Sequence, residues 1–398
     1  MADGSAQHRN GFDGIICIGG EDWWYHNRGH FDFQIMRRLA KRFPVLFVNS
    51  LGVRMPGLSD KRVFAQRIGR KLKSLSRGLV ETVPGFFVFS PVTSPGKLAE
   101  HMTSWALSPQ IRLAAQRIGI SNPILWVHCP AGAKLTEAIP SAAVVMQRTD
   151  RFEAFPEADR DVVGAQIAHL KARADLVIYA APNLMEEDRG QVARQLLVTH
   201  GVDFERFASA GDAEGKSAPA DIADLARPRV GFIGGVDRHT FDPELYLKVV
   251  AALKDMSFVV VGGCSLPDDW CPFPNVRFVG RKPYDEVANY MAAMDVLIMP
   301  WNSSDWIKGC NPIKLKEYIA VGRPIVTTPF PSIEEWRDLV AVADGPAAFA
   351  DAIRRAVGAH FDAAPGRQRV RAESWDAKAD LVADGLTGLV SAAQRAVG

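Results

Sequence analysis

The sequence predicts an α/β fold made of two doubly wound, Rossmann-like domains, each a parallel sheet with helices on both faces. Short apolar runs of strand length alternate with helix-length segments through most of the chain. This alternation stops once, at residues 208–228, which are rich in Ala, Gly, Ser, Pro and Asp and show no apolar periodicity. The length of 398 residues suits two domains of ordinary size. We therefore predict an N-terminal domain at 1–207, a linker at 208–228 and a C-terminal domain at 229–398.

The predicted strands are continuous apolar runs, as expected for sheets that are buried on both faces. Before the linker they are 14–19, 45–49, 86–90, 124–128, 143–147 and 176–180, and after it 230–234, 258–262, 276–280, 296–300 and 324–328. Open parallel sheets bind ligands beyond the carboxyl ends of their strands, and two facing domains form a cleft there. Candidate functional residues should therefore follow the strands directly.

Composition excludes several classes of protein. With 47% hydrophobic and 23% charged residues the chain is neither disordered nor fibrous, and no apolar run is long enough for a transmembrane helix. The polar N-terminus lacks a secretory signal, so we expect a cytoplasmic protein. The five cysteines are scattered, without the spacing of a disulfide framework or a zinc site. The net charge of +2 combines +6 in residues 1–207 with −4 in residues 208–398.

The first predicted strand is followed by two glycines and three aromatic residues. The glycine turn allows backbone amides to approach a ligand, and the aromatic rings could stack on a sugar. The candidate acceptor or cleft residues here are Gly20, Asp22, Trp23 and His26. Equally, this segment is an ordinary strand–helix turn whose aromatic side chains cover the domain edge.

Asp150 follows the fifth predicted strand and is flanked by Arg148 and Arg151. Two arginines would keep a carboxylate ionised at neutral pH, as a general base requires. Asp150 is therefore a candidate base, and Arg148 a candidate cleft residue. The alternative is a surface ion pair or a helix cap, which the local sequence alone favours.

In the second half, Gly234 and Gly235 follow the first strand, and Arg238 is a candidate phosphate ligand or a solvated loop residue. Asp242 before Pro243 predicts a helix N-cap. No strand is followed by G-x-G-x-x-G and no G-x-x-x-x-G-K-[ST] occurs, which weakens the dehydrogenase and phosphate-loop NTPase interpretations.

Residues 295–329 are the most informative segment. A helix beginning near Pro312 would point its N-terminus at an anion, and Lys314 in its first turn would add a positive charge. Glu317 lies three residues later and could accept hydrogen bonds from a ribose diol. Alternatively, Lys314 and Glu317 form a solvated i,i+3 pair. With a strand on either side, we favour a nucleotide site, with Asn311 beside it.

The segment NPIKLKEYIAVGRPIVTT from Asn311 resembles the donor-nucleotide segment of GT-B-fold glycosyltransferases. The segments MDVLIMPW at 294–301 and HGVD at 200–203 are also typical of that family. The order of elements matches over nearly the whole chain, and the closest likeness is to bacterial exopolysaccharide and teichuronic-acid-type enzymes and the xanthan glucuronosyltransferase.

The resemblance implies a nucleotide-sugar donor in the C-terminal domain, an acceptor in the N-terminal domain, no cofactor or required metal, and a last helix that can return to the N-terminal domain. Carried over, Glu317 binds ribose, Lys314 binds diphosphate or a sugar carboxylate, and Gly234 and Gly235 form the phosphate-facing loop. Asp150 matches the catalytic base of the xanthan-type motif. Many retaining members carry an E-x7-E pattern, but Gly309 replaces the first glutamate here, which favours inversion weakly.

Residues 61–80 contain seven basic residues and no acidic one. On a helical projection one face is apolar and the other basic, which is typical of an interfacial helix attracted to anionic lipid. The candidate membrane residues are Arg62, Phe64, Arg67, Ile68, Arg70, Leu72, Lys73, Leu75 and Arg77, with Leu79 also on the apolar side. Alternatively, the apolar side packs on the domain core. Nucleic acid is a poorer explanation, because one helix is a small basic footprint.

Together these features predict a glycosyltransferase on the inner face of the cell membrane. It would move a sugar from a nucleotide-sugar donor, for which we favour a UDP-sugar, to a polyprenyl-diphosphate-linked or polysaccharide acceptor in exopolysaccharide or cell-surface glycan synthesis. Two alternatives are a nucleotide-sugar 2-epimerase of the same fold and a non-catalytic protein that binds sugar nucleotides.

Overall fold

The computed structural model describes residues 11–25, 29–49, 69, 73–92, 103–155, 158–212 and 218–397, with side chains described as far as Leu389. The chain divides into two compact units. Unit 1 comprises Met1–Thr199 and Trp375–Gly398, and unit 2 comprises His200–Ser374. Each unit contains one sheet of mainly parallel strands, which confirms the predicted α/β class. None of the described helices combines the length and the apolar character needed to cross a membrane.

Unit 1 is built on an eight-stranded sheet. Its strands are β1 (Gly14–Ile18), β2 (Val45–Val48), β3 (Leu79–Val83), β4 (Phe86–Phe89), β5 (Pro123–Val127), β6 (Ala143–Arg148), β7 (Leu176–Tyr179) and β8 (Gln195–Leu197). They lie in the order β3-β4-β2-β1-β5-β6-β7-β8, and all neighbours are parallel except the β3–β4 hairpin. The central strands β1, β2, β5, β6 and β7 are buried along their whole length, as their continuous apolar sequences require.

The strand order of unit 1 reverses at β1. From β1 the chain adds β2 and then the β3–β4 hairpin on one side, and afterwards crosses over to add β5 to β8 on the other side. The loops that follow β1 and β5 therefore diverge. In open α/β sheets such a reversal leaves a crevice at the carboxyl ends of the strands, where ligands bind.

Helices and short turns cover this sheet. The labelled helices in the described part of unit 1, before its last one, are α1 (Phe31–Leu39), α2 (Ser108–Arg117), α3 (Leu135–Ala138), α4 (Arg160–Arg173) and α5 (Pro182–Glu187). A π-helical turn, Thr103–Leu107, precedes α2, and 3-10 turns occur at Pro130–Gly132 and Phe152–Ala154. α1 follows the loop after β1 and carries the buried carboxylate of Asp32 in its first turn.

Unit 2 is built on a six-stranded, fully parallel sheet. Its strands are β9 (Arg229–Ile233), β10 (Ser257–Val261), β11 (Val276–Gly280), β12 (Val296–Met299), β13 (Ile325–Thr327) and β14 (Ala341–Val342), in the order β11-β10-β9-β12-β13-β14. The order reverses at β9, because β10 and β11 lie on one side of it and β12 to β14 on the other. The second crevice is therefore expected beyond β9 and β12.

The helices of unit 2 are α6 (Phe204–Gly211), α7 (Pro243–Ala252), α8 (Tyr284–Ala292), α9 (Asp305–Gly309), α10 (Ile313–Val321), α11 (Pro346–Gly358) and α12 (Ala364–Arg371). The predicted cap of α7 is confirmed, since the Asp242 carboxylate accepts the N–H of Leu245 at 2.9 Å. The last helix, α13 (Trp375–Val397), packs on unit 1, where the Trp375 ring lies 5.7 Å from that of Phe31.

Two predicted boundaries differ from the structure. Leu79 and Val80, placed at the end of the basic helix, belong to strand β3, because a turn at 76–77 ends the helical residues 73–75. The segment 208–228 begins inside α6, and its residues 218–228 pack on unit 2. Asp221, for example, accepts hydrogen bonds from Lys282 at 2.6 Å and from the Tyr290 hydroxyl at 2.8 Å.

Gly262, directly after β10, supplies a test of the close backbone contact between the loops that follow β9 and β10. Its φ is +154°, and a Cβ atom there would lie 1.8 Å from the carbonyl oxygen of Gly234. We expect Gly262→Ala to lower the free energy of unfolding by about 3 kcal/mol or more, because the backbone must move. The control Gly280→Ala, at φ +70° with open space around it, should cost about 1 kcal/mol. Equal losses of unfolding free energy in the two variants, measured by urea denaturation, would contradict this close contact.

Candidate functional site

The crevice of unit 2 brings together Gly234, Lys314 and the start of α10. A Cβ atom on Gly234 would lie 2.7 Å from Cε and 3.2 Å from Nζ of Lys314. A Cβ atom at this position would force the end of the Lys314 side chain to shift, so the glycine leaves room for the ammonium group beside the backbone that follows β9. Lys314 is half-buried in the first turn of α10, so its charge adds to the positive end of the helix dipole.

Glu317 lies one turn further along α10 and is buried. The Tyr284 hydroxyl on α8 donates to its Oε1 at 3.5 Å. Burial raises the pKa of the Glu317 carboxyl to about 7, although the Lys314 ammonium and the Tyr284 hydroxyl act in the opposite direction. The Asp203 carboxylate, from the HGVD segment, adds to the rise. A carboxylate that is costly to ionise is suited to accept hydrogen bonds from a ligand, because the ligand would then stabilise its charge.

The neighbours of Glu317 on α10 fix the helix in place. The Tyr318 hydroxyl accepts the N–H of Ile233, the last residue of β9, at 2.9 Å. The buried Lys316 donates to the His200 carbonyl at 2.5 Å and pairs with Glu373 at 2.6 Å. Lys316 and Tyr318 therefore anchor the helix on either side of Glu317, and Glu317 is directed toward α8.

The other predicted donor residues fall around this helix. Asn311 is buried immediately before α10, and Gly235 is exposed beside Gly234. Arg238 is exposed, and the shape of its loop depends on the Asp237 carboxylate, which accepts the N–H groups of His239 and Thr240 at 2.9 and 2.8 Å. Gly309 is the last residue of α9, so the first position of the E-x7-E pattern carries no carboxylate.

In unit 1, Asp150 lies in the turn directly after β6 and is half-buried. The two arginines beside it pair with other carboxylates. Arg148 is buried and lies 3.0 Å from Glu153 and 3.3 Å from Asp188, and Arg151 pairs with Glu187. Arg148 is therefore held in a buried ion network and presents little surface to a cleft, contrary to its predicted role as a cleft residue.

Two interpretations of the loop after β1 were open, an aromatic platform and an ordinary turn, and the structure contradicts the platform at Trp23. Trp23 is a core residue, whose ring lies 4.9 Å from Phe86 and 5.1 Å from Phe33. Asp22 shapes the loop by accepting the N–H of Trp24 at 2.9 Å. His26 lies outside the described residues. Trp23 is thus excluded as a stacking surface, whereas Gly20 lies against the His128 imidazole at the crevice.

Sequence reasoning missed His128, which follows β5, and Asp32, in the first turn of α1. Nδ1 of His128 lies 3.1 Å from Asp32 Oδ2, and Nε2 lies 3.2 Å from Thr149 Oγ1. Gly20 allows this arrangement, since a Cβ atom there would lie 2.8 Å from the imidazole. The available signal was a histidine directly after a buried strand, at the crevice between β1 and β5.

The candidate membrane residues are mostly outside the described part of the chain. This applies to Arg62, Phe64, Arg67, Ile68, Arg70 and Leu72. Of the others, Lys73 is exposed, Leu75 is half-buried, and the Arg77 guanidinium lies 4.2 Å from the centre of the Trp24 ring. Arg77 therefore packs on an aromatic side chain of its own unit.

Comparisons with known proteins agree with this architecture. Residues 227–358, within unit 2, match the family described as "Glycosyl transferases group 1". TuaH of Bacillus subtilis (strain 168), described as a teichuronic acid biosynthesis glycosyltransferase, is 27% identical over 280 residues, covering 63% of this chain and 68% of TuaH.

Solved structures show the same fold at low sequence identity. Sucrose-phosphate synthase from Thermosynechococcus elongatus superposes with a TM-score of 0.70 at 17% identity, covering 96% of this chain and all of that one. Anabaena HepE, solved with UDP and glucose, gives 0.62 at 12% identity, covering 94% and 99%. The UDP-forming α,α-trehalose-phosphate synthase from Burkholderia vietnamiensis gives 0.65 at 12%, covering 96% and 100%. The protein is a glycosyltransferase with the GT-B fold, whose residues 227–358 form a group 1 glycosyltransferase domain.

Proposed function

We propose that the protein transfers a sugar from a UDP-sugar to a hydroxyl group of a lipid-linked or polysaccharide acceptor during synthesis of a bacterial cell-surface glycan. The teichuronic acid relative supports the class of product, and the UDP bound by Anabaena HepE supports the nucleotide. The observation that carries the proposal is the buried Glu317 carboxylate, which lies one turn beyond Lys314 on a helix anchored to the end of β9.

On this proposal, the ribose and the diphosphate of the donor bind at successive turns of α10. The Glu317 carboxylate accepts hydrogen bonds from the ribose hydroxyls. Lys314, the backbone at Gly234 and the N-terminus of α10 bind the diphosphate. These groups stabilise the negative charge that grows on the diphosphate as the glycosidic bond breaks.

Asp150 is the proposed base for the acceptor hydroxyl. It follows β6, the strand next to β5, so it lies at the carboxyl edge of the unit 1 sheet where a ligand crevice is expected. Its ionised carboxylate would take the proton of the acceptor hydroxyl while that oxygen forms the new bond to the sugar.

We also propose that unit 1 contacts an anionic membrane surface, where a lipid-linked acceptor would be found. Trp105 and Leu113 have exposed fractions of 66% and 51%, and Arg112 and Arg117 are exposed on the same helix as Leu113. Val92, 65% exposed, adjoins them, because its N–H donates to Gln110 on α2 at 3.0 Å. Exposed apolar and basic side chains on and beside α2 suit a negatively charged lipid surface.

The donor site is tested by the pH dependence of affinity. Because a UDP-sugar diphosphate does not titrate near neutrality, the titration of Glu317 at about 7 should control binding. We expect affinity measured by calorimetry to rise about tenfold from pH 6 to pH 8, as the carboxylate becomes ionised. Glu317→Gln should weaken binding and abolish this dependence, whereas Glu244→Gln, on an exposed side chain, should retain it. A wild-type pH dependence in Glu317→Gln would remove Glu317 from the site.

Replacing the candidate base tests the acceptor site. Asp150→Asn should lower turnover about a hundredfold or more, with UDP affinity unchanged, because the amide cannot accept the proton. The control Asp161→Asn alters an exposed carboxylate at the start of α4 and should leave turnover unaltered. Full turnover in Asp150→Asn would show that Asp150 is not the base.

The membrane proposal is tested by sedimentation with phosphatidylglycerol-containing vesicles. The double variant Trp105→Ser/Leu113→Ser should bind about tenfold more weakly, because it removes apolar surface that would enter the interface. Leu381→Ser, at a side chain with an exposed fraction of 42%, is the matched control and should bind as the wild type does. Unchanged sedimentation of the double variant would exclude this patch as a membrane contact.

A further inference from the structure

A carboxylate, an imidazole and a hydroxyl group form a chain across the carboxyl ends of three neighbouring strands in unit 1. Asp32 Oδ2 lies 3.3 Å from the backbone N–H of Gly20, after β1, and 3.1 Å from His128 Nδ1, after β5. His128 Nε2 lies 3.2 Å from Thr149 Oγ1, after β6. This series of contacts therefore ends on Thr149, the residue directly before Asp150.

Both charged members of this chain are deeply buried, with exposed fractions of 0% for Asp32 and 8% for His128. Burial would lower the pKa of the His128 imidazole, but the Asp32 carboxylate outweighs it and raises that pKa, with help from Asp150 and Glu21. Burial would likewise raise the pKa of Asp32, but His128 outweighs it and lowers that pKa, aided by His30. The pair is therefore stabilised as imidazolium and carboxylate.

His128 is poorly placed to act as a base itself. Both ring nitrogens already have partners inside the protein, and the Phe152 ring lies 5.5 Å from the imidazole. A general base needs a free lone pair within reach of the substrate proton. The imidazole is instead placed to act on the turn that carries Asp150.

We propose that Asp32 and His128 are positioning residues, which fix the Thr149–Asp150 turn and keep the Asp150 carboxylate ionised. Asp32 sets the orientation of the ring, Nε2–H donates to the Thr149 hydroxyl, and the imidazolium charge favours an anionic Asp150. The inference rests on the proposed role of Asp150 as the base. The imidazolium adds positive charge beside that carboxylate, whereas Arg148 and Arg151 form ion pairs with Glu153, Asp188 and Glu187.

Elsewhere in unit 1, the protein contains a matched control for the Asp32–His128–Thr149 arrangement. His169 also contacts a carboxylate and a threonine hydroxyl, both through Nε2, at 3.5 Å from Glu137 and 3.4 Å from Thr136. Its side chain is one-third exposed, and both partners lie in α3. His169→Gln therefore removes a similar group from the same unit without altering the Thr149–Asp150 turn.

The first experiment compares pH–rate profiles of transfer. His128→Gln should lower kcat about tenfold and move the acidic limb of the profile upward by about one pH unit, because Asp150 is easier to protonate without the imidazolium. Thr149→Val should lower kcat without moving the limb, because it removes the hydroxyl contact and keeps the charge. His169→Gln should match the wild type. A His128→Gln profile identical to that of His169→Gln would overturn the proposal.

The second experiment needs no turnover. In ¹⁵N-histidine NMR, replacing Asp150 by Asn should move the titration of His128 to lower pH and leave that of His169 unaltered, because coupling between two charges is reciprocal. An unmoved His128 titration would refute the coupling. Full turnover in Asp150→Asn together with a moved titration would refute only the assignment of Asp150 as base. A moved His128 titration together with a wild-type pH–rate profile in His128→Gln would refute only the positioning role.

Discussion

In each sheet, strand order reverses at the first strand in the chain, β1 in unit 1 and β9 in unit 2. The loops on either side of that strand must diverge, and polar groups can then meet at the carboxyl edge without interrupting the buried apolar strands. Both candidate sites depend on this constraint. At each reversal a glycine lies against a charged side chain, Gly20 against His128 and Gly234 against Lys314, where a Cβ atom would force that side chain to shift.

The two crevices hold buried charge in opposite ways. In unit 1, Asp32 and His128 compensate each other, and the loss of one partner would leave an uncompensated buried charge. In unit 2, the Glu317 carboxyl is buried with insufficient compensation, so its pKa rises to about 7. Such a group destabilises the empty site when it ionises, and a ligand that donates hydrogen bonds removes that cost. Paired charge suits a fixed scaffold, whereas poorly compensated charge suits a binding site.

Sequence patterns predicted the features that depend on local chemistry. The α/β class followed from continuous apolar strands. The helix cap at Asp242 followed from an aspartate directly before a proline, because such a carboxylate can accept a backbone N–H at the start of a helix. Features set by tertiary contacts were missed. Leu79 fits a helical projection, yet it pairs with β4 and belongs to a strand. Trp23 was interpreted as a sugar platform but fills the core, and Arg148 was assigned to a cleft but pairs with Asp188, forty residues away. His128 and Asp32 lie 96 residues apart, so only the fold shows that they meet.

The central claim is that Glu317 binds the nucleotide of a sugar donor in its ionised form. If so, binding at pH 7 must release the proton from the fraction of molecules in which Glu317 is protonated, which is about half at a pKa of about 7. Calorimetry of UDP-sugar binding in buffers of different ionisation enthalpy measures this release directly. The account predicts about half a proton per UDP-sugar bound at pH 7 and almost none at pH 9 or in Glu317→Gln. Equal proton release by the wild type and Glu317→Gln at pH 7 would contradict it.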